Sequence, residues 1–120
     1  MSNAFPNYVA LTQGVSAELA SFRSGAPGVS KSFGELGRNA MATGALDKKT
    51  KELIAVALSV AARCDPCIGF HMQTLVKLGV TRKEVDETLG VTTYMGGGPS
   101  LMYAASAIAA FEELSQATAR

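Results

Sequence analysis

Apolar residues recur at intervals of three and four along most of this 120-residue chain. That spacing is typical of amphipathic helices, and no segment alternates between apolar and polar residues as a half-buried strand does. Glycines, prolines and capping residues divide the pattern into short helical segments. The sequence therefore predicts an all-α fold, a compact domain of about six helices with approximate bounds 7–24, 29–43, 48–63, 66–78, 82–95 and 101–116.

The third predicted helix has one apolar side. Leu53, Ile54 and Leu58 form its apolar side together with two alanines, whereas Glu52 lies on a different stripe. A carboxylate in such a position is commonly solvated and paired with a nearby lysine. Any functional interpretation of Glu52 depends on what the next helix places beside it.

The fourth predicted helix carries both cysteines and the only histidine of the chain, in the stretch Cys64 to His71. Asp65 is a favourable N-cap residue and Pro66 a favourable first helical residue. Cys67 then lies in the first turn, where the helix dipole favours a thiolate, and His71 lies one turn further on the same face. Two cysteines three positions apart at a helix start are close enough to form a disulfide.

Three chemistries fit this stretch. An ionisable thiol, a nearby base and a second thiol that traps an oxidised intermediate form a redox centre. Cys64, Cys67 and His71 are also possible zinc ligands, with Glu52 as a fourth. Free cysteines are often simply buried apolar side chains. We rank the redox centre first because the cysteine spacing coincides with the helix start signals and with the lone histidine.

Charge and hydropathy exclude several classes of function. The 11 basic and 10 acidic residues form no blocks and give a net charge of +1, which argues against a nucleic-acid surface. The longest apolar runs are too short to span a bilayer, and no export leader opens the sequence. A C-x-x-C pair in a reducing cytoplasm, where we expect the protein to act, is typical of catalysis or metal binding.

These features together resemble a known family. Glu52 precedes C-x-x-C-x-x-x-H by twelve residues, and the motif is followed by Leu-Gly-Val-Thr-x-x-Glu-Val and a helix rich in small residues. The chain resembles the carboxymuconolactone decarboxylase-like superfamily, specifically its alkylhydroperoxidase D-like branch. The resemblance covers roughly residues 33–114 of a single domain that we take to span residues 1–120. It implies an all-helical homotrimer, or a hexamer built from dimers.

The resemblance also implies a function and assigns roles. The activity would be thiol-dependent reduction of hydroperoxides without haem, flavin or metal, with an external dithiol or thiol protein as reductant. Cys67 would be the peroxidatic cysteine, Cys64 the resolving cysteine, and His71 and Glu52 the proton relay. Enzymes of the branch often carry another histidine immediately before the second cysteine, where this chain has Pro66. The alternative is a redox sensor or metal-binding interaction protein that uses the same cluster without turnover.

Overall fold

Capping side chains set the starts of four of the described helices. Asp47 accepts a hydrogen bond from the backbone N–H of Thr50 at 2.8 Å, and Thr81 and Glu84 form a reciprocal capping box. The computed structural model describes residues 4–119. The helices are α1 (Tyr8–Gly25), α2 (Pro27–Met41), α3 (Lys48–Ala61), α4 (Asp65–Lys77), α5 (Arg82–Gly96) and α6 (Gly98–Ala119).

The all-α prediction is confirmed, and no strand occurs among the described residues. Some helix ends differ from the sequence analysis. Helix α2 begins at Pro27 and ends at Met41, whereas the predicted bounds were 29–43. Helix α6 begins at Gly98 rather than at Leu101, because the break after α5 is confined to Gly97, whose φ is 77°. None of the described helices is long and apolar enough to cross a membrane.

The core lies where α3, α4 and α6 meet, with α5 and the start of α1 packed against them. Helix α4 contributes three fully buried side chains at helical spacing, Ile68, Met72 and Leu75. Val76, next to Leu75 on this helix, is only half-buried. The motif therefore lies on a helix that the core holds on one side.

The prediction for α3 was wrong about its buried face. Ile54 and Leu58 are 46% and 65% exposed, whereas Glu52 is 4% exposed and lies on the same buried stripe as Val56 and Ser59. The helix turns this stripe toward α4, α5 and α6, so Ile54 and Leu58 face away from the core, whereas Leu53 is partly buried and packs against it. Glu52 is thus buried beside the motif helix.

Helix α1 approaches α4 at Gly69. A Cβ atom at this position would lie 2.7 Å from Cγ2 of Thr12 and 3.3 Å from Cδ1 of Tyr8. The start of α1 is also fixed from α6, where the Glu113 carboxylate accepts the backbone N–H groups of Tyr8 at 2.7 Å and Val9 at 3.0 Å. A carboxylate at a helix N-terminus satisfies free N–H groups and complements the helix dipole. Helix α1 is therefore held against the middle of the motif helix.

Gly69→Ala should destabilise the protein by about 1–3 kcal/mol, because the new methyl group forces α1 and α4 apart in a closely packed region. Gly90→Ala is the matched control. Gly90 is an exposed glycine within α5, and no atom would lie within 4 Å of an added Cβ. That control should gain roughly 0.5–1 kcal/mol from helix propensity. Urea unfolding monitored by circular dichroism measures both changes, and equal effects would contradict the close approach.

Tyr8 is fully buried beneath the motif helix. Burial raises the pKa of Tyr8 to about 12, and the negative charge of Asp65 adds to the rise. The Ser106 side chain lowers the pKa of Tyr8 and so offsets part of this rise. Neither Ser106 nor any other described residue meets full hydrogen-bond geometry with the Tyr8 hydroxyl. The hydroxyl therefore stays protonated in the folded state well above the pH at which it ionises in the unfolded chain.

We expect Tyr8 to limit stability at alkaline pH. The pKa of Tyr8 is raised from 10.0 to about 12 on folding. Its contribution to the free energy of unfolding is therefore complete below pH 10 and is lost as the pH rises toward 12. The loss is about 1.4 kcal/mol at pH 11. In Tyr8→Phe this component should be absent. Unfolding free energies of both proteins at pH 8 and pH 11 test this, and an identical alkaline loss in the variant would contradict it.

Helix α2 contacts α1 and, at its C-terminal end, α3. The Nζ atom of Lys51 donates to the carbonyl oxygens of Ala40 at 3.0 Å and Ala42 at 2.6 Å, which ties the end of α2 to α3. No residue of α2 is buried. We call its exposed apolar residues Val29, Phe33 and Leu36 the α2 apolar face.

Candidate active site

The two cysteines lie at the junction of α3 and α4. Helix α3 ends in a turn closed by two backbone hydrogen bonds, from Arg63 N–H to the Val60 carbonyl at 3.1 Å and from Cys64 N–H to the Ser59 carbonyl at 3.0 Å. This is the Schellman arrangement of helix ends. Cys64 follows the turn directly, so the end of α3 fixes where the first sulfur lies.

Cys64 is also the residue that caps α4. Its Sγ atom accepts a hydrogen bond from the backbone N–H of Cys67 at 3.3 Å. Our assignment of Asp65 as the N-cap was therefore wrong by one position, and Asp65 and Pro66 are the first two residues of the helix. Sulfur is a weak acceptor, which is why a cysteine cap is not apparent from sequence.

Cys64 and Cys67 form a disulfide, and their Cα atoms are 5.2 Å apart. This separation is within the usual range for disulfides, about 4.4–6.8 Å. Both residues are half-buried. Burial therefore does not distinguish the two cysteines. The arrangement is that of a redox pair in its oxidised form, in residues that are partly open to solvent.

Glu52 and His71 form the second part of the site. The Nδ1 atom of His71 lies 3.0 Å from Oε2 and 3.4 Å from Oε1 of Glu52. The carboxylate side chain is only 6% exposed, whereas the imidazole is 35% exposed. Since a hydrogen-bonded carboxylate fixes both the orientation and the tautomer of a histidine, this pair leaves Nε2 as the ring nitrogen available to other groups.

The alternative of a solvated Glu52 paired with a lysine is overturned by this geometry. Lys49 instead pairs with Glu84 of α5 at 2.8 Å. The structure thus joins Glu52 of α3 to His71 of α4, and it joins the two cysteines to each other. His71 follows Cys67 by four residues on the same helix, which is the spacing of side-chain neighbours.

The metal-binding alternative gains no geometric support. Within residues 4–119, no group of three or more His, Cys, Asp or Glu side chains is arranged to hold a metal ion. Both sulfurs are engaged in the disulfide.

Two residues beside the site were not singled out from sequence. Tyr8 packs under α4, and nothing in the sequence connects it with a helix sixty residues away. Arg63 adopts a positive φ of 57° immediately before Cys64. The sequence signal for Arg63 is its place between the end of one helix and the first cysteine, where a left-handed residue is common.

Comparison with known proteins agrees with this fold. A crystallised carboxymuconolactone decarboxylase family protein of Legionella pneumophila is 57% identical and superposes with a TM-score of 0.88, covering 90% of this chain and 96% of that one. A family member of Thermotoga maritima is 30% identical with a TM-score of 0.80, covering 89% and 92%.

Sequence relatives extend the comparison. An uncharacterized protein of Cupriavidus necator is 40% identical over 73% of this chain and 78% of its own length. The alkyl hydroperoxide reductase AhpD of Coxiella burnetii is 31% identical over 49% of this chain and 33% of its own length. The carboxymuconolactone decarboxylase family model matches residues 27–110, and this protein belongs to that family, in its alkylhydroperoxidase D-like branch.

Proposed function

We propose that this protein is a thiol-dependent peroxidase that reduces hydroperoxides and is regenerated by an external dithiol or thiol protein. The observation that carries the proposal is the pairing of buried Glu52 with His71, one helical turn from Cys67 in the disulfide. A buried carboxylate that orients an imidazole beside a thiol is an arrangement that activates a nucleophile. The family and the distant similarity to AhpD support the same chemistry.

The cycle has three balanced steps. His71 takes the proton of the Cys67 thiol, and the resulting thiolate attacks the distal peroxide oxygen. The O–O bond breaks, and the alkoxide leaves as an alcohol after taking that proton from the His71 imidazolium. The Cys64 thiol then loses its proton and attacks Sγ of the Cys67 sulfenic acid, which forms the disulfide, and the departing hydroxide takes up that proton and leaves as water. A dithiol finally returns two electrons, becomes a disulfide itself and restores both protein thiols. No metal or organic cofactor enters these steps.

Peroxide consumption under steady-state conditions tests the function. Purified protein is supplied with excess dithiol and an organic hydroperoxide, and protein thiols are titrated in parallel. A peroxidase consumes many equivalents of peroxide per protein. A redox sensor without turnover instead consumes one equivalent, with loss of two thiols, and stops. The second result would reject the proposed enzyme and favour the redox sensor. We expect the cytoplasm as the compartment, because it supplies thiol reductants.

We further propose that the active form is a homo-oligomer, a trimer or a hexamer. The chain exposes 7482 Å² of surface, against about 6,100 Å² for a compact monomer of 12.4 kDa. The radius of gyration, 14.7 Å, exceeds the roughly 13.6 Å expected for 120 residues. The surplus area exceeds the about 800 Å² that one partner contributes to a stable interface. The α2 apolar face and the exposed Ile54 and Leu58 supply apolar surface for such contacts.

Sedimentation velocity measures the oligomeric state directly. Phe33→Glu places a charge in the α2 apolar face, where Phe33 is 73% exposed. Its matched control is Lys31→Glu on the same helix, at an exposed polar position. The Phe33 variant should dissociate while the Lys31 variant remains assembled. A monomeric wild-type protein at micromolar concentration would reject the oligomer.

A further inference from the structure

Two helices in this protein end in the same way but with different residues. Helix α4 closes with hydrogen bonds from Gly79 N–H to the Val76 carbonyl at 3.1 Å and from Val80 N–H to the Leu75 carbonyl at 3.0 Å. Helix α3 makes the equivalent pair of bonds at Arg63 and Cys64. The left-handed residue is Gly79 in α4, with a φ of 79°, and Arg63 in α3, with a φ of 57°.

Glycine is the favoured residue at this position because a Cβ atom disfavours left-handed backbone. Arg63 is the one non-glycine residue with positive φ among residues 4–119. Residues held in such conformations cluster at functional sites. The left-handed residue of the turn beside the disulfide, Arg63, therefore has a side chain, whereas Gly79 in the other turn has none. This difference points to a use for the Arg63 side chain.

The guanidinium of Arg63 is free to act on groups outside the chain. Arg63 is exposed, and it takes part in none of the ion pairs formed among the described residues. It immediately precedes the sulfur that caps α4. An unpaired cation at this place attracts anions toward the disulfide.

We propose that Arg63 steers anionic thiol reductants to the disulfide, an inference that rests on the proposed redox function. In the step concerned, a reductant thiolate attacks Sγ of Cys64 and the disulfide bond breaks. The electron pair passes to Sγ of Cys67, which leaves as a thiolate. A second thiolate then attacks the reductant sulfur of the mixed disulfide and releases the Cys64 thiolate. The entering nucleophile is negative, so a neighbouring cation favours its approach.

Reduction rates with three small thiols test the steering. Oxidised protein is mixed with mercaptoethanesulfonate, 2-mercaptoethanol or cysteamine, which carry a negative, neutral and positive group respectively. Samples are quenched by alkylation, and free protein thiols are counted by mass spectrometry. Arg63→Ala should slow reduction by mercaptoethanesulfonate about five-fold, because its thiolate form carries two negative charges. The loss should be smaller for 2-mercaptoethanol, whose thiolate carries one negative charge, and smallest for cysteamine, whose thiolate and ammonium charges cancel. Arg63→Lys should restore most of the rate, and 0.5 M salt should remove the difference.

Arg63→Gly separates the side chain from the backbone. It should raise the midpoint of thermal unfolding by roughly 2–5 °C because it relieves the left-handed conformation. It should also slow reduction by the anionic thiol as Arg63→Ala does. Gly79→Ala, at the equivalent position of α4, should lower the midpoint. Arg23→Ala, which removes an exposed cation from the last turn of α1, should leave all three rates unchanged.

Wild-type rates in Arg63→Gly would overturn the proposal, and so would an equal loss with all three thiols. A lower unfolding midpoint in Arg63→Gly would overturn its conformational premise. These rates are measured without peroxide. If the protein lacks peroxidase turnover but its disulfide is reduced in a charge-dependent way, the proposed enzyme activity is rejected and the role of Arg63 is retained.

Discussion

Cys67→Ser is expected to abolish hydroperoxide turnover, lowering kcat/KM by more than roughly 10³-fold. The serine hydroxyl cannot supply a thiolate, so no sulfenic acid forms. Cys64→Ser removes the resolving thiol, so in the absence of added dithiol the Cys67 sulfenic acid should persist. Dimedone labelling followed by mass spectrometry distinguishes the two variants. The adduct should form on Cys67 in Cys64→Ser after one equivalent of peroxide.

The structure makes Cys64→Ser a favourable variant for this experiment. Cys64 is the N-cap of α4, and serine is a better N-cap residue than cysteine. The variant should therefore keep the motif helix intact, which circular dichroism can verify. Wild-type turnover in Cys67→Ser, or dimedone labelling of Cys64 in the wild-type protein, would contradict the assignment of roles.

Glu52→Gln should lower the rate of peroxide reduction by about 10²-fold and change its dependence on pH. Glutamine has nearly the same shape as glutamate, so it can still contact His71 Nδ1, but it carries no charge to stabilise a protonated imidazole. The measurement is kcat/KM for hydroperoxide across pH 5–9. Because Glu52 is 4% exposed, solvent cannot replace the missing charge.

Glu84→Gln is the matched control for this change. Glu84 is also paired, with Lys49, and that ion pair lowers the pKa of its carboxyl, but it lies outside the candidate site. Its loss should leave the pH profile of peroxide reduction unchanged. If Glu52→Gln likewise keeps the wild-type pH profile, Glu52 is a structural partner of His71 and takes no part in proton transfer.

Local signals predicted much of the fold. Asp47, Thr81 and Gly79 mark helix ends in the sequence and in the structure, because each acts through backbone atoms within a few residues. The cysteine spacing, the helix start signals and the lone histidine pointed to Cys64, Cys67 and His71, and the resemblance to the family added Glu52. The structure brings these four residues into two contacting pairs. Their catalytic roles, and the extent of the domain, stay predictions.

Burial on α3 could not be predicted from apolar periodicity. Ile54 and Leu58 are large apolar side chains, yet they are exposed, whereas Glu52 and Ser59 are buried. A helix with apolar residues on an exposed face and a carboxylate toward the core inverts the usual pattern. Periodicity alone does not say which stripe of a helix meets the rest of the chain. The partner of Glu52 is nineteen residues away on another helix, and only the packing of the two helices joins them.

Cys64 belongs at once to the turn that closes α3 and to the first turn of α4, and the hydrogen bonds of the turn itself use backbone atoms. Opening the disulfide therefore leaves both sulfurs anchored a few ångströms apart. In the proposed cycle, a newly formed sulfenic acid meets its intramolecular partner without any rearrangement of the chain. Since a second peroxide molecule must arrive by diffusion, this permanent proximity protects Cys67 from irreversible over-oxidation to sulfinic acid.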